Sequence, residues 1–127
     1  MTSRFNPSGV AAPAPHYSHG VGVAAGLRTI HVSGQVGMSP SGAIPASVED
    51  QLDIVWQNIE AVLAEGGFKL TDIVSVRGYL LDAAAVPAYR TRFKARLGDT
   101  RPASTLVVVK ALVSPQLLAE IEVVAAA

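Results

Sequence analysis

Glu120 and Glu122 stand two apart in the apolar run Leu118-Ala119-Glu120-Ile121-Glu122-Val123-Val124. A strand sends alternate residues to opposite faces, so both carboxyl groups share one side of a sheet. An ionised carboxylate buried without a partner is costly, so the pair needs a cation, hydrogen bonds or water. The plainer reading is an edge strand whose polar face is solvated. His16, His19 and His31 are the three histidines. His16-x-x-His19 has the spacing of two metal ligands but no third ligand at a recognisable distance. Ser33-Gly34-Gln35 is suited to a turn or to offering backbone N–H groups to an anion, and it lacks the Gly-Lys-Ser/Thr ending of a phosphate loop. Arg90, Arg92, Lys94 and Arg96 place four of the ten basic residues within seven positions. They read as a solvated helix face meeting an acidic helix through salt bridges. Arg90 differs in lying at the margin of an apolar stripe, where a guanidinium can reach a groove.

These groups need elements to hold them. Val48, Leu52, Val55, Trp56, Ile59, Val62 and Leu63 recur at spacings of three and four, which predicts a helix over 47–65. Ser47 is a suitable N-cap, Glu49 and Asp50 favour the positive end of the dipole, and Gly66-Gly67 stops the helix. Residues 72–81 alternate with period two and predict a strand. Val86, Tyr89, Phe93 and Leu97 predict a second helix ending at Gly98. Residues 21–24 and 27–32 read as a strand pair turning at Gly26, and 33–42 as a loop. Residues 105–112 and 117–124 read as two buried strands linked through Ser114-Pro115. With three prolines, residues 1–18 read as an irregular arm pinned to the body. The order β-β-α-β-α-β-β predicts an α+β fold, a mixed sheet with both helices on one face. Its other face is left for neighbouring subunits.

Composition narrows the function. A chain of 127 residues suits one domain over 1–127, and 50% hydrophobic with 16% charged residues predicts a real core. Ten basic and ten acidic residues cancel, which removes the field that non-specific nucleic-acid binding needs. The lack of cysteine excludes thiolate chemistry and disulfides. Charges interrupt every apolar run before membrane-spanning length, and no signal-peptide pattern opens the chain, so a cytoplasmic setting is expected.

Tyr17-Ser18, Ser33-Gly34-Gln35-Val36-Gly37, a long helix ending Glu65-Gly66-Gly67, Arg101-Pro102-Ala103 and Glu120-Ile121-Glu122 occur in that order. From about Pro13 to Val124 the chain thereby resembles the Rid (YjgF-type) family of reactive-intermediate imine and enamine deaminases. The resemblance implies a chorismate-mutase-like α+β fold, a homotrimer and ligand clefts between subunits. It also implies cofactor-free hydrolysis of enamines and imines, such as 2-aminoacrylate, to a keto acid and ammonia. In such deaminases an arginine clamps the substrate carboxylate, and a glutamate with a backbone carbonyl holds the attacking water.

Carried onto this chain, the resemblance makes Tyr17 the cleft tyrosine, Ser33 and Gly34 the pair whose backbone faces the ligand, and Glu120 the water-holding glutamate. The family typically reads Arg-Pro-Ala-Arg followed by Ser or Thr, whereas this chain reads Arg101-Pro102-Ala103-Ser104-Thr105. Ser104 therefore stands where the carboxylate-binding arginine is expected. Arg90, at a position commonly asparagine in the deaminases, is a candidate replacement. Ser104 and Thr105 are candidates for a neutral carbonyl or hydroxyl ligand. The expectation is a small-molecule hydrolase without cofactor. Alternatives are a non-catalytic binding or interaction trimer and, against the neutral charge, an RNA-cleaving protein.

Overall fold

The computed structural model describes residues 2–127. Six strands and two α-helices follow in the order β1 (Thr2–Phe5), β2 (Gly20–Val23), β3 (Thr29–Val36), α1 (Val48–Glu65), β4 (Ile73–Leu80), α2 (Val86–Leu97), β5 (Ala103–Val108) and β6 (Ala119–Ala126). The main sheet is ordered β3-β6-β4-β5, with β4 and β5 parallel and the other pairs antiparallel. Both helices pack on this mixed sheet, as expected for the α+β class.

The helices form where periodicity and capping agree. Ser47 Oγ accepts the Asp50 N–H at 3.1 Å, and beyond the Gly66 cap Gly67 takes φ +79°, a value that glycine adopts without steric cost. Leu52, Val55, Trp56, Ile59 and Leu63 of α1 are fully buried against Phe93 and Leu97 of α2 and against the sheet. Each large side chain so buried contributes roughly 1.5 to 3 kcal/mol from area removed from water. Trp56 and Phe93 meet edge to face at 6.3 Å between ring centres. Arg92 Nε donates to Asp53 Oδ1 at 2.8 Å and Arg96 Nη1 to Glu60 Oε2 at 3.2 Å, so the basic helix does meet the acidic one through salt bridges. Arg90 and Lys94 form no ion pair among the described residues.

Four expectations need correction. Residues 1–18 are not wholly irregular: Thr2–Phe5 forms β1 and pairs antiparallel with β2, adding a strand to the expected order. The arm is pinned, with Ser18 Oγ donating to Arg101 O at 2.8 Å and Arg4 Nε to Thr100 O at 2.8 Å. The segments 21–24 and 27–32 do not form a hairpin with each other, because β2 pairs with β1 and β3 with β6. The expected loop at Ser33 is strand as far as Val36. Finally, of the two strands expected to be buried, β6 is buried between β3 and β4, whereas β5 is a half-exposed sheet edge. Backbone pairing with a distant strand decided each case, and local composition carries no record of such a partner.

Candidate functional site

The sheet divides the candidate residues by face. On β6, Ala119, Ile121, Val123 and Ala125 are buried beneath the helices, while Glu120 and Glu122 point to the opposite, helix-free face. The two acids thus lie on a central strand, and the edge-strand reading of this segment is set aside. Residues paired directly across strands share a face. Arg77 pairs with Glu122 and with Thr105, and Tyr79 pairs with Glu120, which places these side chains together on the helix-free face. Tyr79 Oη donates a short hydrogen bond, 2.5 Å, to Glu122 Oε1. That bond, reinforced by partial burial and by the negative charge of Glu122, raises the Tyr79 hydroxyl above its ordinary pKa.

Ser33 and Gly34 sit at an irregularity in the β3–β6 ladder. Val32 pairs with Val123 and Gln35 with Ile121, so two residues of β3 oppose the single residue Glu122. Such a bulge re-aims the local backbone and is common beside active sites. The Glu120 carboxylate lies against the Gly34 α-carbon, and a Cβ there would overlap it. Glycine leaves the carboxylate its room here through close approach, not through an unusual φ.

The other face holds a pocket of about 230 Å³ lined by His16, Tyr17, Tyr89, Arg90, Ser104 and Leu106 among others. Tyr17 and His16 come from the pinned arm, Tyr89 and Arg90 from α2, and Ser104 from β5. Ser104 pairs with the buried Val76 and therefore faces the helices, the opposite direction from Thr105. His16 packs edge-on against Tyr17 and Phe93, and Tyr17 makes a similar contact with His19. His19 Nε2 is hydrogen-bonded to Ala11 O at 2.6 Å. The two imidazoles are thus held separately and do not converge. Burial, followed by the charges of Lys94 and Arg90, lowers the His16 pKa below its ordinary value.

Of the seven candidate residues, one chain brings Tyr17, Arg90 and Ser104 together in the pocket. It brings Gly34 and Glu120 together on the other side of the sheet, with Thr105 on that same face. Ser33 lies in the bulge. Sequence reasoning placed Tyr89 only in an apolar helical stripe and did not single out Tyr79. The available signal was the phenol itself, because a buried tyrosine hydroxyl needs a polar partner.

A family model described as Endoribonuclease L-PSP matches residues 9–127. The chain belongs to this family, also known as the Rid, YjgF or RutC family. Among solved structures, a Rid family protein of unknown function from Yersinia pestis superposes with a TM-score of 0.90 at 30% identity, over 99% of this chain and 98% of that one. A RutC family protein of Pyrococcus horikoshii is 28% identical over 116 residues, 90% of each chain. The mitochondrial protein MMF1 of Saccharomyces cerevisiae is 29% identical over 84 residues, covering 65% of this chain and 58% of that protein. Membership in the Rid family accounts for the helix-on-sheet fold. No helix among the described residues is long and apolar enough to cross a membrane.

Proposed function

We propose that this Rid-family chain is a cofactor-free hydrolase of an imine, an enamine or a related carbonyl–nitrogen metabolite, acting as a homotrimer in the cytoplasm. The observation that carries this reading is the Glu120 carboxylate laid over Gly34 at the β3 bulge, where it is half-buried and free of the helices. There it can orient a water molecule and take its proton as the water oxygen bonds to the imine carbon. That proton passes to nitrogen to give a carbinolamine, whose hydroxyl then gives up its own proton to the same nitrogen as the carbon–nitrogen bond breaks, so imine plus water becomes carbonyl plus ammonia. An enamine reaches the same point after tautomerising to the imine.

Tyr17, Arg90 and Ser104 lie across the sheet from Glu120 and Thr105. A cleft that uses both groups therefore needs the helix-free face of one copy beside the pocket wall of another, which supports assembly between subunits. In this reading Arg90 supplies the cation toward the ligand, and Ser104 and Thr105 supply hydroxyls.

The deciding experiment measures ammonia released from freshly generated 2-imino acids by the wild type and by Glu120→Ala. Turnover in the wild type that disappears in a trimeric Glu120→Ala supports the proposal. Equal turnover in both removes Glu120 from the mechanism. The serine at position 104 favours a second reading, a non-catalytic ligand-binding trimer. That reading predicts thermal stabilisation by a ligand with no product formed. RNA cleavage would instead show steep salt dependence of RNA binding, which the zero net charge argues against.

A further inference from the structure

The four cations of α2 fall into two pairs. Arg92 and Arg96 are held by Asp53 and Glu60 of α1. Arg90 and Lys94, one turn apart and so neighbours on the helix surface, have no ion-pair partner among the described residues. His16 lies against Phe93, which stands between them in the chain, with the two rings edge to face at 5.3 Å. His16 and Arg90 line the same pocket of about 230 Å³, and among the described residues no carboxylate lines it. Tyr89 lines it too, 2% exposed with its phenol seated over Gly78. Burial pushes the Tyr89 pKa up, so the phenol keeps its proton and brings no negative charge to the pocket.

Of the charges around this pocket, that of His16 is adjustable. The groups facing it are Tyr17 of the arm, with His19 behind it, Arg90, Lys94 and Tyr89 of α2, and the uncharged Ser104 of β5. Burial, then Lys94, then Arg90, disfavour its proton. An anion set beside it acts in the opposite sense and favours the imidazolium. We propose that the pocket is a site for a compact doubly charged oxyanion, both charges on one group as in a phosphate ester, gripped by the Arg90 guanidinium and by a His16 imidazole that takes up a proton from solvent as the anion enters. A guanidinium fork matches two oxygens of such a group. By linkage, an anion that favours the proton is in turn favoured by it, so the site tightens as pH falls. This deepens the ligand side of the proposed function. It rests on the pocket being the ligand site, and it places a phosphate-type group on the metabolite beside its carbon–nitrogen bond.

The test is calorimetric binding of sulfate, which keeps both charges from mildly alkaline to mildly acidic pH, so that any pH dependence belongs to the protein. Sulfate should bind the wild type and tighten as pH falls, by about tenfold for each unit by which the bound anion lifts the His16 pKa. The His16 ring protons in NMR should titrate at higher pH with sulfate present than without it. His16→Gln should leave weak binding with no pH dependence. Arg90→Gln should weaken sulfate by about ten- to a hundredfold, the worth of a charged hydrogen bond. Arg92→Gln, which loses a cation already paired with Asp53, should bind it like the wild type. At neutral pH methyl phosphate should bind more tightly than acetate, with one charge, or malonate, with its charges on separate groups. Wild-type affinity in Arg90→Gln, an equal loss in Arg92→Gln, pH-independent binding in the wild type, or a preference for malonate would each overturn the proposal. Ammonia release is assayed separately: anion binding as described with no turnover leaves this proposal standing and removes the hydrolase, and turnover without anion binding does the reverse.

Discussion

The carboxylate of Glu120 on β6 occupies the space that a side chain at Gly34 on β3 would need. The obstructed group is the far end of a flexible side chain, so a larger residue at 34 moves the acid without breaking the sheet. Gly34→Ala should therefore change stability by about 1 kcal/mol or less. It should lower ammonia release by about a hundredfold, the scale expected when a catalytic group is misplaced by an ångström. Urea unfolding and steady-state rates on the same sample separate the two effects. Unchanged turnover in Gly34→Ala would count against Glu120 as the water-holding residue.

Gln51 is the polar side chain most deeply built into the fold. Its Nε2 donates to Pro45 O at 2.8 Å and to Gln116 O at 2.9 Å, and its Oε1 accepts from Leu118 N at 2.8 Å. One residue of α1 thus ties the segment before that helix to the start of β6. Gln51→Ala leaves buried backbone groups unpaired and should cost about 3 kcal/mol. A lower urea midpoint with an unchanged slope would confirm it.

Ser47 caps α1 through its bond to Asp50 N. Ser47→Ala should cost about 1 kcal/mol, and Ser47→Asp should recover most of that loss. Thermal melts of the three proteins order them. A melt of Ser47→Ala that matches the wild type would show the cap to be dispensable.

His16 responds to pH with a defined sign. Burial, then Lys94, then Arg90, lower its folded-state pKa below the ordinary 6.5. The folded state therefore binds the proton less readily than the unfolded chain. The associated stability is present above 6.5 and is lost as pH falls through the folded value. The His16 ring protons in NMR should titrate below 6.5, and Lys94→Gln should move the midpoint upward. A midpoint unaffected by Lys94→Gln would leave burial and Arg90 as the causes.

Tyr79 shifts at the alkaline end. Its bond to Glu122 raises the hydroxyl pKa above 10. The stability it contributes is complete below pH 10 and is lost as pH rises through the folded value. Absorbance titration of the wild type against Tyr79→Phe should show one late-titrating tyrosine removed by the substitution. Glu122→Gln should bring the same step back toward its ordinary position.

The sequence by itself determined what depends on near neighbours along the chain. The three-and-four spacing from Val48 to Leu63, with Ser47 and Gly66-Gly67 at its ends, defines α1, because caps and an apolar stripe are local interactions. The alternation in 72–81 defines β4, and the charge pattern anticipated the contacts of Arg92 and Arg96 with α1. The short motifs that carry the family resemblance were legible in the same way. Tertiary structure alone decided which strand lies beside which, so β6 entered between β3 and β4, β1 found β2, and β5 was left at the edge. It also decided the faces. Period two states that Ser104 and Thr105 diverge, but only the pairing of Ser104 with buried Val76, and of Thr105 with Arg77, shows which one meets the helices. The bulge at Ser33-Gly34, the carboxylate over Gly34 and the phenol over Gly78 are meetings of residues far apart in sequence. Long-range pairing and packing bring them together, and a local pattern holds no information about them.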